Sequence, residues 1–532
     1  MKSRLLQITV GILFMLAAST SYSAEEKNDN PPRFEIRTFQ VEGNTLIDAK
    51  NVEGLLSPFE GKDRDLGTVK EAVKALEEYY HTHGYPTVMV TLPEHEMENG
   101  VVRLKVTENR IGKITVEGNT HFDEANILRS VPVLRKDETP EIDAISRSIK
   151  LANENPAKKL YLQLSKGEKE NEVDADVKIT DERPWKIGIT GDNTGTEETG
   201  RARTGVFLQH ANVFNRDHLM TLQYIASPEE TDRVKIYSAG YQVPFYSLGS
   251  SLQLIAARAN VNSGTISAAS LDMNVNGKGT IYGIRYNQNF ARVGNYEHKL
   301  ILALDYRAYE TSVKVLGFDM DNDVTVHPVS LTYAGTWSRE KAKAGFYLTG
   351  LKNLSESWGE KDTSAYFERV RTGATEDYAI LRYGADLFLY PGADWQVQAL
   401  INGQYARDPL VPGEQYGIGG ADSVRGFNER EIINDRGYSG SLEIYTPDFC
   451  RLFQINAFQS RLLAFYDRGY VSRISPLPGE TTATHIAGTG PGLRISGKRF
   501  TLSADLGFVV DPPDVTIVRW SRLWHLSATI LF

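Results

Sequence analysis

The feature that most constrains this sequence is an alternation of residue types that recurs through its C-terminal two thirds. In residues 300–308, 379–389 and 500–508, every second residue is apolar, and the residues between them mix polar, small and charged groups. Residues 524–532 alternate in the same way and end in an aromatic residue, Phe532. A period of two predicts β-strands whose two faces meet different surroundings.

Strands of this kind, with aromatic ends, are typical of a closed barrel in an outer membrane. Lipid offers the backbone no hydrogen-bond partners, so only helices and closed barrels can span it. We therefore predict a transmembrane β-barrel over residues 185–532, and its 348 residues allow about 16 antiparallel strands at roughly 22 residues each. A soluble β-sandwich or propeller array is the alternative, but it does not easily explain the terminal Phe532 together with the features below.

Composition excludes several other classes. The mean hydropathy of the 532 residues is -0.35, and the only long apolar stretch is N-terminal, which excludes a protein with several membrane-spanning helices. The net charge of -9 argues against nucleic acid as a partner, because a nucleic-acid-binding surface is basic. The single cysteine, Cys450, excludes an intramolecular disulfide framework and a multi-cysteine metal site.

The N-terminus predicts export. Lys2 and Arg4 precede the apolar residues 8–18, and small residues follow up to Ala24. This order is typical of a secretory signal peptide, here residues 1–24, so the mature chain is expected to start near Glu25. An N-terminal membrane anchor is the alternative, but the apolar run is short for it.

The mature chain divides near residue 184. Between residues 25 and 184, 55 of 160 residues are charged and 8 are aromatic; beyond residue 184, 70 of 348 are charged and 43 are aromatic. All six tryptophans lie in the second part. The division therefore indicates a change of surroundings from water to lipid.

The charged part contains a repeat. The five residues Val-Glu-Gly-Asn-Thr occupy positions 41–45 and recur at 116–120, 75 residues later. Each copy predicts a strand, a Gly-Asn turn, two helices and two strands. The second helix of the first copy is predicted to start at Thr68, where Glu71 completes a capping box. We predict two α+β modules, residues 34–109 and 110–184.

Two such modules before a barrel resemble the outer-membrane assembly and secretion superfamily, whose periplasmic modules are called POTRA domains. Shorter motifs resemble one branch, the two-partner secretion transporters (TpsB, the haemolysin activator type). The motifs that carry this resemblance are Gly191-Asp192-Asn193-Thr194-Gly195 with Thr199-Gly200-Arg201, Tyr241 with Pro244, Asn155-Pro156, Gly84-Tyr85 and Leu92-Pro93.

The sharpest motif of the resemblance is the tetrad Val424, Arg425, Gly426, Phe427, which follows Gly419 and Gly420 in a glycine-rich stretch around residues 408–438. In the family this tetrad tips a long extracellular loop that folds into the barrel lumen. A charged guanidinium there needs a carboxylate, because an unpaired buried charge is costly. The family supplies it from a strand motif, which this sequence matches at Phe465, Asp467 and Gly469, so we expect Arg425 to pair with Asp467.

Three glycines are candidates for the wall beneath this loop. Gly488, Gly490 and Gly492 are spaced by two and fall on one strand face. A face without side chains lets another backbone approach closely. We expect the loop backbone to lie against these three positions.

One expected element is missing. Many family members carry an N-terminal helix that plugs the pore, but only residues 25–33 separate the predicted cleavage point from the first strand. Nine residues are too few for a helix that crosses a barrel and a linker that returns. We predict no plug helix.

No enzymatic constellation stands out. His81, His83, His95 and His121 lack the spacing of metal ligands, and most are expected to be solvated. There is no phosphate-binding loop, and we predict neither catalytic residues nor a metal nor any cofactor.

The resemblance implies an outer-membrane translocase that captures an unfolded, haemolysin- or adhesin-like exoprotein and secretes it without ATP. It also implies contact with outer-membrane lipid and lipopolysaccharide, and insertion by the barrel assembly machinery. One alternative is an assembly factor of the same superfamily that inserts other barrels. Another is a passive porin or receptor, which would not need the two modules.

Overall fold

The structure of the protein is a computed structural model that describes residues 32–94, 99–197, 199–260, 264–268, 271–275, 278–310, 312–315, 318–321, 323–355 and 361–532. The predicted signal peptide, His95, and residues 25–31 of the segment predicted to lack a plug helix lie outside the described residues. Within the described ranges, no helix is both long and apolar enough to cross a membrane.

Residues 34–109 form a small unit of helices packed on strands. Its elements are β1 (Phe34–Ile36), β2 (Thr38–Glu42), α1 (Ala49–Leu56), β3 (Gly61–Arg64), α2 (Leu66–Thr82), β4 (Val88–Thr91) and β5 (Val101–Glu108). The main sheet has the order β2-β5-β4, with β2 parallel to β5. Helix α2 begins at Leu66 rather than at Thr68, because the Asp65 side chain accepts the Thr68 N–H at 2.8 Å and caps the first turn.

Residues 110–184 repeat this arrangement. Their elements are β6 (Arg110–Glu117), α3 (Glu124–Arg129), α4 (Ile142–Ala152), β7 (Lys158–Lys166) and β8 (Glu172–Asp181), with the sheet order β6-β8-β7. The repeated turn explains the repeated sequence. Gly43 and Gly118 have φ angles of 84° and 90°, and a Cβ on either would lie 2.3 or 2.4 Å from the carbonyl oxygen of Val106 or Ile179.

The remaining residues build a closed, antiparallel barrel of 16 wall strands, as predicted. Strand β31 pairs with β9 to close it, and β20 and β21 act as one wall strand interrupted at His327. The strands are β9 (Trp185–Asp192), β10 (Arg203–Val213), β11 (His218–Ala226), β12 (Lys235–Phe245), β13 (Ser250–Ala259), β16 (Gly279–Asn289), β17 (Tyr296–Tyr309), β20 (Val324–Val326), β21 (Pro328–Arg339), β22 (Ala342–Asn353), β23 (Ala379–Gly392), β24 (Trp395–Ala406), β27 (Arg436–Tyr445), β28 (Phe458–Ser472), β29 (Ala483–Gly497), β30 (Phe500–Asp511) and β31 (Arg522–Leu531).

Short elements occupy the connections. They are the hairpins β14 (Gly264–Ala268) with β15 (Leu271–Val275), β18 (Ser312–Val315) with β19 (Phe318–Asp321), and β25 (Tyr416–Ile418) with β26 (Ile432–Asn434), and the helices α5 (Ser364–Val370) and α6 (Phe449–Leu452). Strand β9 leaves residues 110–184 and successive wall strands reverse direction. The eleventh, β24, therefore runs away from that module, and the connection that holds β25 and β26 starts at the opposite end of the barrel.

The alternation predicted from the sequence separates the two faces of the wall. On β23, Leu381 and Leu387 are exposed on the outside, while Ile380 and Gly384 are buried. Large apolar side chains are exposed in the same way on most of the other wall strands. This outer surface suits contact with lipid acyl chains rather than with water.

The pairing that closes the barrel is short. Only residues 188–192 of β9 pair with β31, whereas β28 and β29 pair over 15 residues each. The side chain of Asn193 extends the closing ladder: its Nδ2 donates to the Trp524 carbonyl at 2.7 Å, and its Oδ1 accepts the Leu526 N–H at 2.8 Å. A carboxamide carries the same donor and acceptor as a peptide unit, so the Asn193 side chain adds to the backbone bond from the Asn193 N–H to the Leu526 carbonyl at 3.2 Å.

Candidate functional site, a loop inside the barrel

The connection between β24 and β27 folds back against the inner wall. Its hairpin, β25 with β26, holds the tip residues between them, and the tip contacts β27 to β31. Nearer its start, Glu414 contacts β17 and β23. The connection therefore reaches wall strands on both sides of the lumen. We refer to residues 407–435 as the lumen loop.

Glycines let the tip reverse within a few residues. Gly419, Gly420 and Gly426 have φ angles of 107°, 101° and 102°, a region that side chains disfavour. The turn closes where the Gly420 N–H donates to the Val424 carbonyl at 3.1 Å and the Gly419 N–H donates to Ser423 Oγ at 2.8 Å. This turn presents Arg425 toward the wall.

The structure brings Arg425 and Asp467 together. Nε of Arg425 donates to Asp467 Oδ2 at 2.7 Å and Nη2 donates to Oδ1 at 2.8 Å, so the contact is two-pronged. The Arg425 backbone N–H adds a third bond to Oδ2 at 3.0 Å, and Ser441 donates to Oδ1 at 2.6 Å. Arg425 is 3% exposed and Asp467 is fully buried, so solvent screens this contact little.

Two further carboxylates surround the guanidinium, and neither was singled out from the sequence. Nη1 of Arg425 lies 2.6 Å from Glu443 Oε1 and 3.4 Å from Asp505 Oδ2. The guanidinium carbon also lies 3.6 Å from the centre of the Phe465 ring, a cation–π contact. Glu443 is on β27, next to β28, and Asp505 is on β30, beyond β29, so the missing information was the strand register that brings both near Arg425. The alternation of residues 500–508 placed Asp505 on the polar face, whereas Glu443 lies outside the alternating runs used for the prediction.

The apolar members of the tetrad pack on the same wall. Val424 is fully buried and Phe427 is 2% exposed, in a cluster with wall residues of β28, β29 and β30. Gly469 leaves room for this packing, because a Cβ there would lie 3.0 Å from Val424 Cγ2. The cluster consists of Ile418, Val424, Phe427, Val471, Ile486 and Val509.

The three wall glycines have different neighbours. A Cβ at Gly488 would lie 1.9 Å from the Arg425 carbonyl oxygen, so the loop backbone does approach there. At Gly490 and Gly492 the nearest atoms belong to the wall instead: the Leu506 carbonyl oxygen and the Asp505 carboxylate, at 1.9 and 2.0 Å.

The second close approach is at Gly507 of β30, which the sequence analysis missed. A Cβ there would lie 2.3 Å from the Gly426 nitrogen. Beside it, the Gly426 N–H donates to His525 Nε2 at 3.0 Å. Spacing by two identified the correct strand face but could not show that the loop crosses from β29 to β30 after one contact.

Two buried carboxylates hold the ends of the lumen loop. Glu414 accepts from Arg307 at 2.8 Å, from Tyr309 at 2.7 Å and from Arg382 at 3.3 Å. Asp435 forms a two-pronged ion pair with Arg371. The loop is thus fixed at its start, tip and end by three separate ionic contacts.

In the part of the chain that the structure describes, no group of three or more His, Cys, Asp or Glu side chains could hold a metal ion. Of the histidines considered above, His81 bonds to the Val88 carbonyl at 3.2 Å and His121 lies 3.5 Å from Asp181. Both contacts stabilise local turns and strands.

Comparison with known proteins bears on both parts of the chain. A family model described as haemolysin secretion/activation protein ShlB/FhaC/HecB matches residues 171–495, and one described as a POTRA domain of the ShlB type matches residues 34–109. The chain is 21% identical over 524 residues to the heme/hemopexin transporter protein HuxB of Haemophilus influenzae, covering 91% of this chain and 85% of that protein. It is 21% identical over 423 residues to the outer membrane transporter CdiB of Dickeya dadantii, covering 76% and 71%.

Solved structures show the same fold. The structure of CdiB from Escherichia coli superposes with a TM-score of 0.74 at 16% identity, covering 97% of this chain and 93% of that chain. The structure of CdiB from Acinetobacter baumannii gives a TM-score of 0.71 at 15% identity, covering 95% and 91%.

Proposed function

This chain belongs to the haemolysin secretion/activation family of outer-membrane two-partner secretion transporters, and we propose that it captures an unfolded exoprotein in the periplasm and passes it through the barrel without ATP. Its barrel lies in the outer membrane and its POTRA region lies in the periplasm.

The observation that carries this proposal is the docked tip of the lumen loop. The tip is held on the wall by hydrogen bonds and ion pairs between side chains, centred on Arg425 and Asp467. Such contacts break and re-form without any change in the 16-stranded wall. Displacement of the tip would widen the lumen for an extended chain, and return of the tip would close it again.

We assign capture of the unfolded exoprotein to the edge strands of the POTRA sheets. Sheet order leaves β4 and β7 at edges, and each carries an exposed apolar side chain: Met89 is 52% exposed and Tyr161 is 62% exposed. An unfolded chain can add a strand to such an edge through backbone hydrogen bonds, while its side chains contact the apolar residues. The edges therefore suit an extended substrate better than a folded one.

The proposed division of the chain follows from these roles. Residues 1–24 are the signal peptide, 34–109 and 110–184 the two POTRA domains, and 185–532 the barrel with its inserted loop around 408–438. The exposed apolar wall contacts lipid, with lipopolysaccharide in the outer leaflet, and the barrel assembly machinery inserts the chain.

The cargo is proposed to be a large exoprotein. Two relatives are named as a heme/hemopexin transporter and an outer membrane transporter, and this chain matches 85% and 71% of their lengths. Because the periplasm holds no ATP, folding of the cargo outside the cell would make transport irreversible.

The proposal is tested with purified protein in liposomes and the exoprotein whose secretion depends on it, supplied unfolded in urea and diluted without nucleotide. We expect the exoprotein to become protected from added protease, and Arg425→Ala to abolish that protection while its barrel still inserts. Protection that requires ATP, or equal protection with protein lacking residues 34–184, would contradict the proposal.

A further inference from the structure

A buried ionic cluster joins the second POTRA domain to the barrel. Lys158, the first residue of β7, has a side chain with no exposed surface, and its Nζ lies 2.6 Å from Asp217 Oδ2. Asp217 is in the turn between β10 and β11, at the periplasmic end of the wall. The pair therefore crosses from the domain to the barrel.

Three more side chains complete the cluster. Lys158 also donates to Asn126 Oδ1 at 2.9 Å and to Ser130 Oγ at 2.7 Å, both next to or within α3. Tyr246, in the turn between β12 and β13, donates to Asp217 Oδ2 at 2.7 Å. Ser130 Oγ donates to the same oxygen at 2.9 Å, so Lys158, Ser130 and Tyr246 share one carboxylate oxygen of Asp217.

The backbone of the turn is shaped for this contact. Asp217 has a φ angle of 60°, which is uncommon for a residue other than glycine but tolerated by aspartate and asparagine. Burial lowers the pKa of Lys158, an effect that Asp217 opposes, and burial raises the pKa of the Tyr246 hydroxyl well above its usual value. Tyr246 therefore stays protonated and remains a donor to Asp217.

The motif Asn155-Pro156, singled out in the sequence, belongs to the same surface. Asn155 Nδ2 donates to the Ala211 carbonyl of β10 at 2.7 Å, and the Pro156 carbonyl accepts from Lys186 of β9 at 3.0 Å. On the other side of the cluster, Ser148 donates to the Tyr246 carbonyl at 2.9 Å. Contacts thus reach three neighbouring strands or turns of the wall.

We propose that Lys158 and Asp217 are positioning residues for secretion: their buried pair fixes the second POTRA domain in one orientation on the barrel, so that captured chain is delivered at one place on the rim. This inference rests on the proposed function. A purely apolar contact could slide, whereas a buried pair is satisfied in one geometry and strongly penalises others. The edge strand β7, which begins at Lys158, is thereby held in a fixed direction relative to the barrel opening.

The test measures orientation directly. Spin labels are attached at Lys169→Cys in the second POTRA domain and Val293→Cys in the turn after β16, both exposed, in full-length protein with Cys450→Ser. Pulsed electron resonance then gives the distribution of distances between the labels. Secretion is measured in cells that carry the same variants without labels.

We expect a narrow distribution for the parent protein. Lys158→Met leaves Asp217 buried without its cation, so the distribution should broaden and secretion should fall about tenfold or more. Lys136→Met, an exposed lysine of the same domain that lies between α3 and α4 and outside the sheet, is the matched control and should change neither.

Two more variants guard against simple misfolding. Lys158→Met combined with Asp217→Asn removes both charges and keeps a residue that tolerates the turn, so it should restore a narrow distribution and most secretion. Tyr246→Phe removes one hydrogen bond and should broaden the distribution less than Lys158→Met.

A narrow distribution in Lys158→Met, or full secretion despite a broad one, would overturn the inference, as would a failure of the double variant to recover. If the parent protein secretes nothing while the pair still controls the distribution, the proposed function fails and the docking role of the pair stands.

Discussion

Arg425→Ala is the perturbation whose consequence the structure specifies most fully. The substitution removes the two-pronged contact with Asp467 and the contacts with Glu443 and Asp505. It leaves three carboxylates near one another, with Arg494 paired to only one of them, Asp505. The loss therefore includes new repulsion as well as missing bonds.

The magnitude follows from burial. Removing one partner of a buried ion pair costs about 3–5 kcal/mol. Because Arg425 is only 3% exposed, water can replace little of the lost interaction. A loss of that free energy lowers the equilibrium constant for docking of the loop tip by about 100-fold or more. The ends of the loop stay fixed, because Glu414 and Asp435 keep their own partners.

The assay is thiol labelling at the tip. Val424 is fully buried when the tip is docked, so Val424→Cys in a Cys450→Ser background reacts with a maleimide only when the tip is displaced. We expect Arg425→Ala to raise the labelling rate about 100-fold or more. Asp467→Asn should raise it less, because Glu443 and Asp505 still compensate the guanidinium.

Arg407→Ala, an exposed arginine at the start of the same loop, is the control and should leave the rate unchanged. Equal labelling of Arg425→Ala and the parent would refute the reasoning, since other contacts would then hold the tip. A larger effect of Asp467→Asn than of Arg425→Ala would refute the charge balance on which the magnitude depends.

Three further predictions concern other parts of the molecule. Gly488→Ala places a Cβ 1.9 Å from the Arg425 carbonyl oxygen and should undock the tip in the same labelling assay. Gly350→Ala is the control, because a Cβ there meets nothing within 4 Å. Unchanged labelling in both variants would contradict the close approach. Asn193→Ala removes two hydrogen bonds at the barrel closure, worth about 1–3 kcal/mol together. It should lower the temperature at which the barrel unfolds on gels. An unaltered temperature would show that the short β9–β31 ladder is enough to keep the barrel closed. Burial raises the pKa of Asp181, but the backbone N–H groups of His121, Thr120 and Phe122 outweigh this, and the net pKa lies below 3.8. Its stabilising effect is therefore complete above about pH 4 and is lost as the pH falls through the lowered pKa. Hydrogen exchange of residues 120–122 should accelerate only below that point, and an onset well above pH 4 would contradict the lowered pKa of Asp181.

The fold was largely predictable because its two parts obey different patterns. The repeat of Val-Glu-Gly-Asn-Thr predicted two equivalent turns, and Gly43 and Gly118 do adopt the same backbone conformation. The alternation predicted the barrel because a wall between lipid and lumen forces a period of two. The start of α2 was missed by two residues, because Asp65 competes with Thr68 as a capping residue.

A contact of the site was predictable only where both of its residues lie in recognisable motifs. Arg425 and Asp467 each lie in a recognisable motif, so their contact could be expected. Glu443, Asp505 and Gly507 depend on the register of β27 and β30 against β28 and β29, which no local pattern encodes. No local pattern marks Lys158, because its burial arises only where the domain meets the barrel turn that carries Asp217.

We propose that this transporter serves a dedicated exoprotein, which distinguishes it from a general assembly factor. The most direct measurement is quantitative proteomics of the culture medium, cell surface and outer membrane after depletion of the protein. We predict the loss of one or a few large exoproteins from the surface and medium, with other barrel proteins at normal abundance. A general loss of outer-membrane barrels would identify an assembly factor instead, and an unchanged set of surface proteins would contradict a role in secretion.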